Sequence, residues 1–169
     1  MHISNSNRFV VDGSANHCHL SEKDAHILFD KELDNMILKP LAIAGEFATN
    51  LKVFDEKGNS YTVLYPWRSY SQLEVAMSNY YKLFGKYTQR RNSGDIEGAL
   101  LLDVTCTSAS IDIPVIVAAA HVHIAQMSDL EELELLDFPF DLAVKQNQST
   151  DGLSHIHLDT DQYAAIQGL

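Results

Sequence analysis

The sequence predicts a mainly β protein with short capping helices, and three features of the chain indicate this fold class. Most apolar segments are short, rich in β-branched and aromatic residues, and bounded by turn residues. The helical patterns are brief, at about two to three turns each. A His-x-His motif occurs at 17–19, 121–123 and 155–157. Each copy is followed by an aliphatic residue, then by a short polar stretch, and then by an apolar segment. This order is typical of a strand end that precedes a helix.

The individual elements follow from local composition. Strands are predicted where β-branched and aromatic residues dominate, at 8–12, 51–55, 60–65, 100–106, 110–124 and 155–159. Helices are predicted from apolar spacing at 22–29, 75–84 and 128–136. Ser21 followed by Asp24 predicts a cap for the first helix, and Gly85 predicts the end of the second. The EKGN turn at 56–59 predicts a hairpin.

Composition narrows the class of protein. With 169 residues and 46% hydrophobic content, the chain suits one globular domain, or two small ones that share a core. The net charge of −11 argues against nucleic-acid binding, since the single basic cluster is Lys86, Arg90 and Arg91. Two cysteines are too few for a disulfide framework. The sequence shows no apolar signal core and no 18-residue apolar run, so we expect a cytoplasmic protein without membrane contact.

The histidine pairs are the strongest chemical signal. Eight histidines in a chain of this length would give about 0.4 His-x-His triplets by chance, and three occur. Residues i and i+2 of a strand point to one face, so two imidazoles can converge on one ion at about 2.0–2.1 Å. His17 with His19, and His121 with His123, are therefore predicted as halves of metal sites. Cys18 should face the opposite side of its strand and pack in the core.

Glu74 has two interpretations that spacing alone leaves open. It lies inside the otherwise apolar run RSYSQLEVA (68–76), where a carboxylate is rarely buried without a partner. It is either ion-paired with Arg68, or it is a metal ligand beside an Arg68 that holds an anion. The segment NSGDIEG (92–98), taken by itself, is typical of a surface turn.

Six blocks of sequence connect these signals to a known family: SANHCHLS (14–21), GEFA (45–48), RSYSQLEVA (68–76), RNSGDIEG (91–98), AAHVHI (119–124) and HIHLDTDQYAAIQGL (155–169). In order and approximate spacing they resemble the phosphate propanoyltransferases, the phosphotransacylases first associated with propanediol-utilising bacterial microcompartments. The resemblance runs from about residue 10 to the C-terminus. It implies two β-barrel-like domains with short capping helices and a two-zinc site between them. One barrel would combine 7–16 with 119–169, and the other would use 17–118.

Motif matching to this family implies three ligands for each zinc ion. The ligands of the first ion are His17, His19 and Glu74, with a position left for the sulfur of coenzyme A. The ligands of the second are His121, His123 and His157, with waters completing the shell. His155 stands where the family usually has an aliphatic residue or methionine, so we expect it to pack or to lie behind the ligands.

The resemblance also implies the activity. Arg68 matches the arginine that orients phosphate, and Arg91 opens the matching R-x-S-G-D block, so both are expected to bind phosphate. Arg68 and Glu74 are the expected catalytic residues. The implied reaction is the reversible transfer of a short acyl group, acetyl or propanoyl, between coenzyme A and inorganic phosphate by a homodimer. Two alternatives are another metal-dependent acyl or thioester reaction on this scaffold and a non-catalytic metal-binding relative. A cupin-type barrel with a single ion is a third.

The chain departs from the family at several positions. Asn16 and Ala120 stand where arginine normally precedes each histidine pair. Residues 99–101 replace a Ser-Pro-Gly sequence, and the segment 125–154 is shorter than usual, so we expect the C-terminal barrel to lack a hairpin. Two absent cations near an anion site would weaken the binding of phosphate or coenzyme A.

Overall fold

The computed structural model describes residues 9–14, 16–107, 109–146 and 149–167, and the chain divides into two compact units. The terminal unit comprises Met1–Ala15, Ala42–Ala44 and Ala119–Leu169. The central unit comprises Asn16–Leu41 and Gly45–Ala118. Residues 7 and 8, with which the predicted first barrel and first strand begin, lie outside the described residues.

The elements are short throughout. The strands are β1 (Phe9–Ser14), β2 (His17–His19), β3 (Leu38–Pro40), β4 (Phe47–Phe54), β5 (Ser60–Tyr65), β6 (Gln72–Glu74), β7 (Leu101–Thr105), β8 (Ser110–Ile116), β9 (His121–Ile124), β10 (Ala143–Gln146) and β11 (Ser154–Asp159). The helices are α1 (Glu22–Phe29), α2 (Met77–Phe84), α3 (Ser128–Leu135) and α4 (Thr160–Gln167), with a 3-10 helix at Asp30–Asn35. Among the described residues, no helix has the length and apolar character to cross a membrane.

A closed barrel forms the central unit. Its strands pair in the order β4-β5-β2-β6-β8-β7, and a bridge between Phe54 of β4 and Thr105 of β7 closes the ring, with β3 added beside β4. Alternate strand residues fill the interior, as in the pattern of β4, where Thr49, Leu51 and Val53 are buried and their neighbours 50, 52 and 54 are exposed. The predicted mainly β fold with a barrel and short helices is confirmed.

The terminal unit has a different architecture. Its four strands pair in the order β1-β11-β9-β10, which leaves β1 and β10 as the edges of an open sheet. The second barrel expected from the family resemblance is therefore not observed among the described residues. The segment between β9 and β11 supplies α3 and the four-residue β10, and four short strands do not close into a barrel. A metal site between the two units stays a prediction.

Several predicted elements are confirmed at residue level. Helix α1 covers the predicted range, and the Ser21 hydroxyl accepts a hydrogen bond from the Asp24 amide at 3.2 Å. Helix α2 ends at Gly85, whose φ of 72° favours glycine. The predicted strand 110–124 was too long: it splits into β8 and β9 because residues 117–120 carry the chain from the central to the terminal unit. Each histidine pair is followed by a helix, as predicted.

One buried carboxylate fixes the hairpin at 56–59. Asp55 Oδ1 accepts hydrogen bonds from the amides of Lys57 (2.9 Å) and Asn59 (3.0 Å). Its Oδ2 accepts from the Tyr61 hydroxyl at 2.7 Å and the Asn59 side-chain amide at 2.9 Å. Burial raises the pKa of Asp55, but these hydrogen bonds outweigh it and hold the pKa below its ordinary value. The ionised form is the one that stabilises this turn.

We predict that Asp55→Asn lowers the free energy of unfolding by about 1–2 kcal/mol at pH 7. A depressed pKa contributes stability that is present above the unfolded value, about 3.9, and is lost as the pH falls through the folded value. The difference between wild type and variant should therefore shrink below about pH 4. Urea unfolding at pH 7 and pH 3 measures it. Asp103→Asn, an exposed change on β7, is the control, and an equal pH dependence in both variants would contradict the prediction.

Candidate active site

A first group of ligand side chains lies on two paired strands of the barrel. Strands β2 and β6 are antiparallel, with His17 opposite Glu74. His17 Nε2 lies 2.7 Å from Glu74 Oε2, and His19 Nε2 lies 3.8 Å from Glu74 Oε1. Cys18, between the histidines, is fully buried in the core, where burial raises the pKa of its thiol. The three residues predicted from the sequence therefore form one group, which we call the His–His–Glu group.

A second group lies on two paired strands of the terminal unit. Strands β9 and β11 are antiparallel, with His121 opposite His157. The ring centroids of His121, His123 and His157 are 4.6–5.0 Å apart. We call this set the trihistidine group. Its members are the second set predicted from the sequence.

His121 shows that the trihistidine group suits a metal ion. Its Nδ1 donates to the Ala119 carbonyl at 3.1 Å, which leaves the lone pair on Nε2. Burial, with the charge of Lys145 as a smaller cause, lowers the pKa of His121 to about 3, so the ring is neutral at physiological pH. Neutral imidazoles and a carboxylate are donors that zinc and other late transition ions take, with three protein ligands leaving one position open.

Arg68 is joined to the barrel through its backbone and its side chain. Its amide donates to the Leu20 carbonyl at 2.8 Å. Its guanidinium donates to the Tyr70 hydroxyl at 3.3 Å and to Glu46 Oε1 at 3.4 Å. Glu46 was not predicted as a partner, although it lies in the GEFA block. Arg68 forms its ion pair with Glu46, whereas the Glu74 carboxylate lies beside His17 and His19, so the role of Glu74 as a metal ligand stays a prediction.

Gln72 connects the His–His–Glu group to the turn at 92–98. Its fully buried side chain donates to Glu74 Oε1 at 2.8 Å and to Ser93 Oγ at 2.7 Å, and its Oε1 accepts from the Gly94 amide at 2.9 Å. Tyr70 Oη lies 3.2 Å from Ser93 Oγ, so hydrogen bonds run from Arg68 to Glu74. The segment is a surface turn, as predicted, and it also forms hydrogen bonds with the side chains of Gln72 and Tyr70. The two-residue spacing of Gln72 and Glu74 was the available signal.

The turn at 92–98 approaches the Tyr70 ring closely at Gly94, and this requires glycine. Its φ is +91°, and a Cβ there would lie 3.3 Å from the Tyr70 ring. Arg91, at the start of the same segment, donates to the carbonyl oxygens of Glu97 (2.6 Å) and Asp95 (3.3 Å). Arg91 therefore holds the turn together.

The two positions that depart from the family have different structural uses. Asn16 Oδ1 accepts hydrogen bonds from the Ala76 amide and the Asn79 side chain, both at 3.2 Å, and so fixes the start of α2. Ala120 is 4% exposed and packs in the core of the terminal unit. Neither position presents a cation.

The barrel and the two groups define a β protein with side chains that could hold a metal ion. The chain matches the family model for phosphate propanoyltransferase over residues 10–168, and it belongs to that family. Curated proteins named phosphate propanoyltransferase are similar to it. That of Leptotrichia buccalis is 33% identical over 135 residues, or 76% of this chain and 63% of the relative. That of Limosilactobacillus reuteri is 35% identical over 127 residues, or 72% and 58%. The matched region thus spans less than two thirds of these relatives.

We predict that Gln72→Leu lowers the free energy of unfolding by about 1–3 kcal/mol, because it removes two donated hydrogen bonds and one accepted bond in a buried place. Chemical denaturation measures the change. Gln126→Leu is the matched control, since residue 126 is exposed and precedes α3. Equal stability of the two variants would show that the link from Glu74 to Ser93 and Gly94 is energetically unimportant.

Proposed function

We propose that the protein is a zinc-dependent phosphate acyltransferase, which transfers an acetyl or propanoyl group reversibly between coenzyme A and inorganic phosphate. Family membership supports the reaction class. The observation that carries the proposal is the hydrogen-bonded series that joins an anion-binding side chain, Arg68, to the His–His–Glu group. Acyl transfer to phosphate needs both a cation for the phosphate and a stabiliser for the leaving sulfur.

We assign one zinc ion to each ligand group. His17, His19 and Glu74 would hold the first, and His121, His123 and His157 the second. Bound zinc would act as a Lewis acid that stabilises the developing thiolate of coenzyme A. The His–His–Glu group and the trihistidine group lie in different units, which supports two ions per chain over the single ion of a cupin-type barrel.

Arg68 is the proposed phosphate-binding and catalytic residue. Its side chain is 31% exposed, so it reaches solvent while Tyr70 and Glu46 restrict its orientation. The guanidinium would position a phosphate oxygen for attack on the thioester carbonyl carbon. It would also compensate the negative charge of the phosphate. The new oxygen–carbon bond forms as the carbon–sulfur bond breaks, and the electron pair leaves on sulfur. Glu74 acts as a ligand that Gln72 orients.

Arg91 is proposed as a second phosphate-binding residue. It lines a pocket together with Lys86 and Tyr87, where a phosphate group of either substrate would meet two cations. Cys18 takes no part, because it is fully buried and its thiol pKa is raised. The proposal includes a homodimer and a cytoplasmic location.

We predict phosphate-dependent release of free thiol from acetyl-CoA and propanoyl-CoA by protein that carries about two zinc ions per chain. Glu74→Ala should lower this rate by roughly 10²–10³-fold, because it removes a ligand of the first ion. A thiol assay beside metal analysis measures both quantities. Glu22→Ala is the control, since the Glu22 side chain is 75% exposed on α1.

Other outcomes point to the alternatives. Thiol release without phosphate would indicate a thioesterase-like reaction on the same scaffold. Bound zinc without any turnover would indicate a non-catalytic metal-binding relative. A content of one ion per chain would contradict the two-ion assignment.

We further predict that Arg68→Met raises the KM for phosphate at least about tenfold, equivalent to about 1.4 kcal/mol of binding, and leaves the KM for acyl-CoA nearly unchanged. The physical reason is the loss of the charged donor for the phosphate dianion. Steady-state kinetics with each substrate varied in turn give both constants. Lys52→Met, which removes an exposed charge on β4, should change neither. A larger effect on acyl-CoA than on phosphate would assign Arg68 to the other substrate.

A further inference from the structure

A third group of ligand side chains lies in the terminal unit, and the proposed reaction does not use it as a group. It consists of Asp12, His155 and His157, whose donor atoms lie within 4.8 Å of one another. It arises from strand register. Strands β1 and β11 are parallel, with Asp12 opposite His157, and residues 155 and 157 share a face of β11.

The distances within this group are those of metal ligands. Asp12 Oδ2 lies 2.9 Å from His155 Nδ1 and 3.6 Å from His157 Nε2. Ligand atoms around a tetrahedral zinc ion with bonds of 2.0–2.1 Å are about 3.3 Å apart. The two distances from Asp12 differ from this value by about 0.3–0.4 Å, and the third donor pair lies within 4.8 Å.

Asp151 supplies the outer partner that metal-binding histidines usually have. Both of its carboxylate oxygens contact His155 Nε2, at 2.9 and 3.0 Å. Because His155 Nδ1 is hydrogen-bonded to Asp12 Oδ2, a metal ion would replace the proton on Nδ1 while Nε2 donates to Asp151. The His155 side chain is 4% exposed and that of Asp12 is 43% exposed, so one side of the group is anchored and the other is open to solvent.

We propose that Asp12, His155 and His157 form a further position for a divalent transition-metal ion, in which Asp151 orients His155. This assignment gives His155 a ligand's role, whereas the sequence predicted that it packs or lies behind the ligands. It does not depend on acyl transfer. Because His157 also belongs to the trihistidine group, the two positions must be separated by mutation.

The test starts from a His121→Gln/His123→Gln double variant, which disables the trihistidine group with polar side chains of similar size. Zinc per chain is measured by elemental analysis after dialysis against buffered Zn²⁺, and by calorimetric titration with Zn²⁺. Adding His155→Leu is expected to remove one ion per chain. Adding Asp12→Asn, a change at a half-exposed side chain, is expected to do the same and covers the case in which His155→Leu disturbs folding. His26→Leu is the matched control, since His26 is exposed on α1, and should remove none.

Asp151→Asn separates orientation from coordination. It should keep the ion count of the double variant but weaken the titrated affinity about 10–100-fold. Unchanged zinc content after both His155→Leu and Asp12→Asn would overturn the proposal and leave His155 as an imidazolium paired with two carboxylates. All these variants are compared with the His121→Gln/His123→Gln double variant. An ion held by the His–His–Glu group would be present in each of them and does not affect the difference. Loss of acyltransferase activity alone would not bear on it.

Discussion

The two-residue period of the β-strand is the constraint on which all the ligand groups depend. In each His-x-His sequence the central residue is fully buried: Cys18 in the central unit, and Val122 and Ile156 in the terminal unit. Burial of a valine or isoleucine side chain is worth about 1.5–3 kcal/mol, and a slip of one residue would remove these central side chains from the core and turn the imidazoles into it. The packing of each core thus fixes the face on which the histidines stand.

Pairing between strands then decides which side chains meet. The antiparallel pair β2–β6 places His17 opposite Glu74, and β9–β11 places His121 opposite His157. The parallel pair β1–β11 adds Asp12 to the same row. Since the ligands stand on paired strands rather than on long loops, their positions are set by the same hydrogen bonds that hold each sheet together. A group built this way is arranged before any ion binds.

The sequence predicted correctly those elements whose residues repeat with a local period. Helix α1, strand β5 and the histidine pairs all follow from spacings of two to four residues. The strands β3 and β10 are too short to show a period, and they were missed. The sheet of the central unit closes into a barrel and that of the terminal unit stays open because of which strands pair. The spacing of residues within a strand does not show how strands pair. The hydrogen bonds of Arg68 with Glu46 and of Gln72 with Ser93 join residues that are 22 and 21 positions apart. A local period of two to four residues does not predict contacts at such separations.

Charge bears on the proposed reaction, because its substrates are anionic and the chain is acidic. The net charge of −11 repels phosphate and coenzyme A at long range, and Asn16 and Ala120 supply no cation where the family has arginine. Five of the six proposed zinc ligands are histidines, and those of the trihistidine group are uncharged when they bind as neutral imidazoles. A divalent ion held by three neutral imidazoles keeps its full charge, whereas one held with Glu74 keeps about half of it. In the proposed two-ion site, histidine ligands in place of carboxylates would therefore concentrate positive charge, and the proposed phosphate-binding residue Arg68 would add to it.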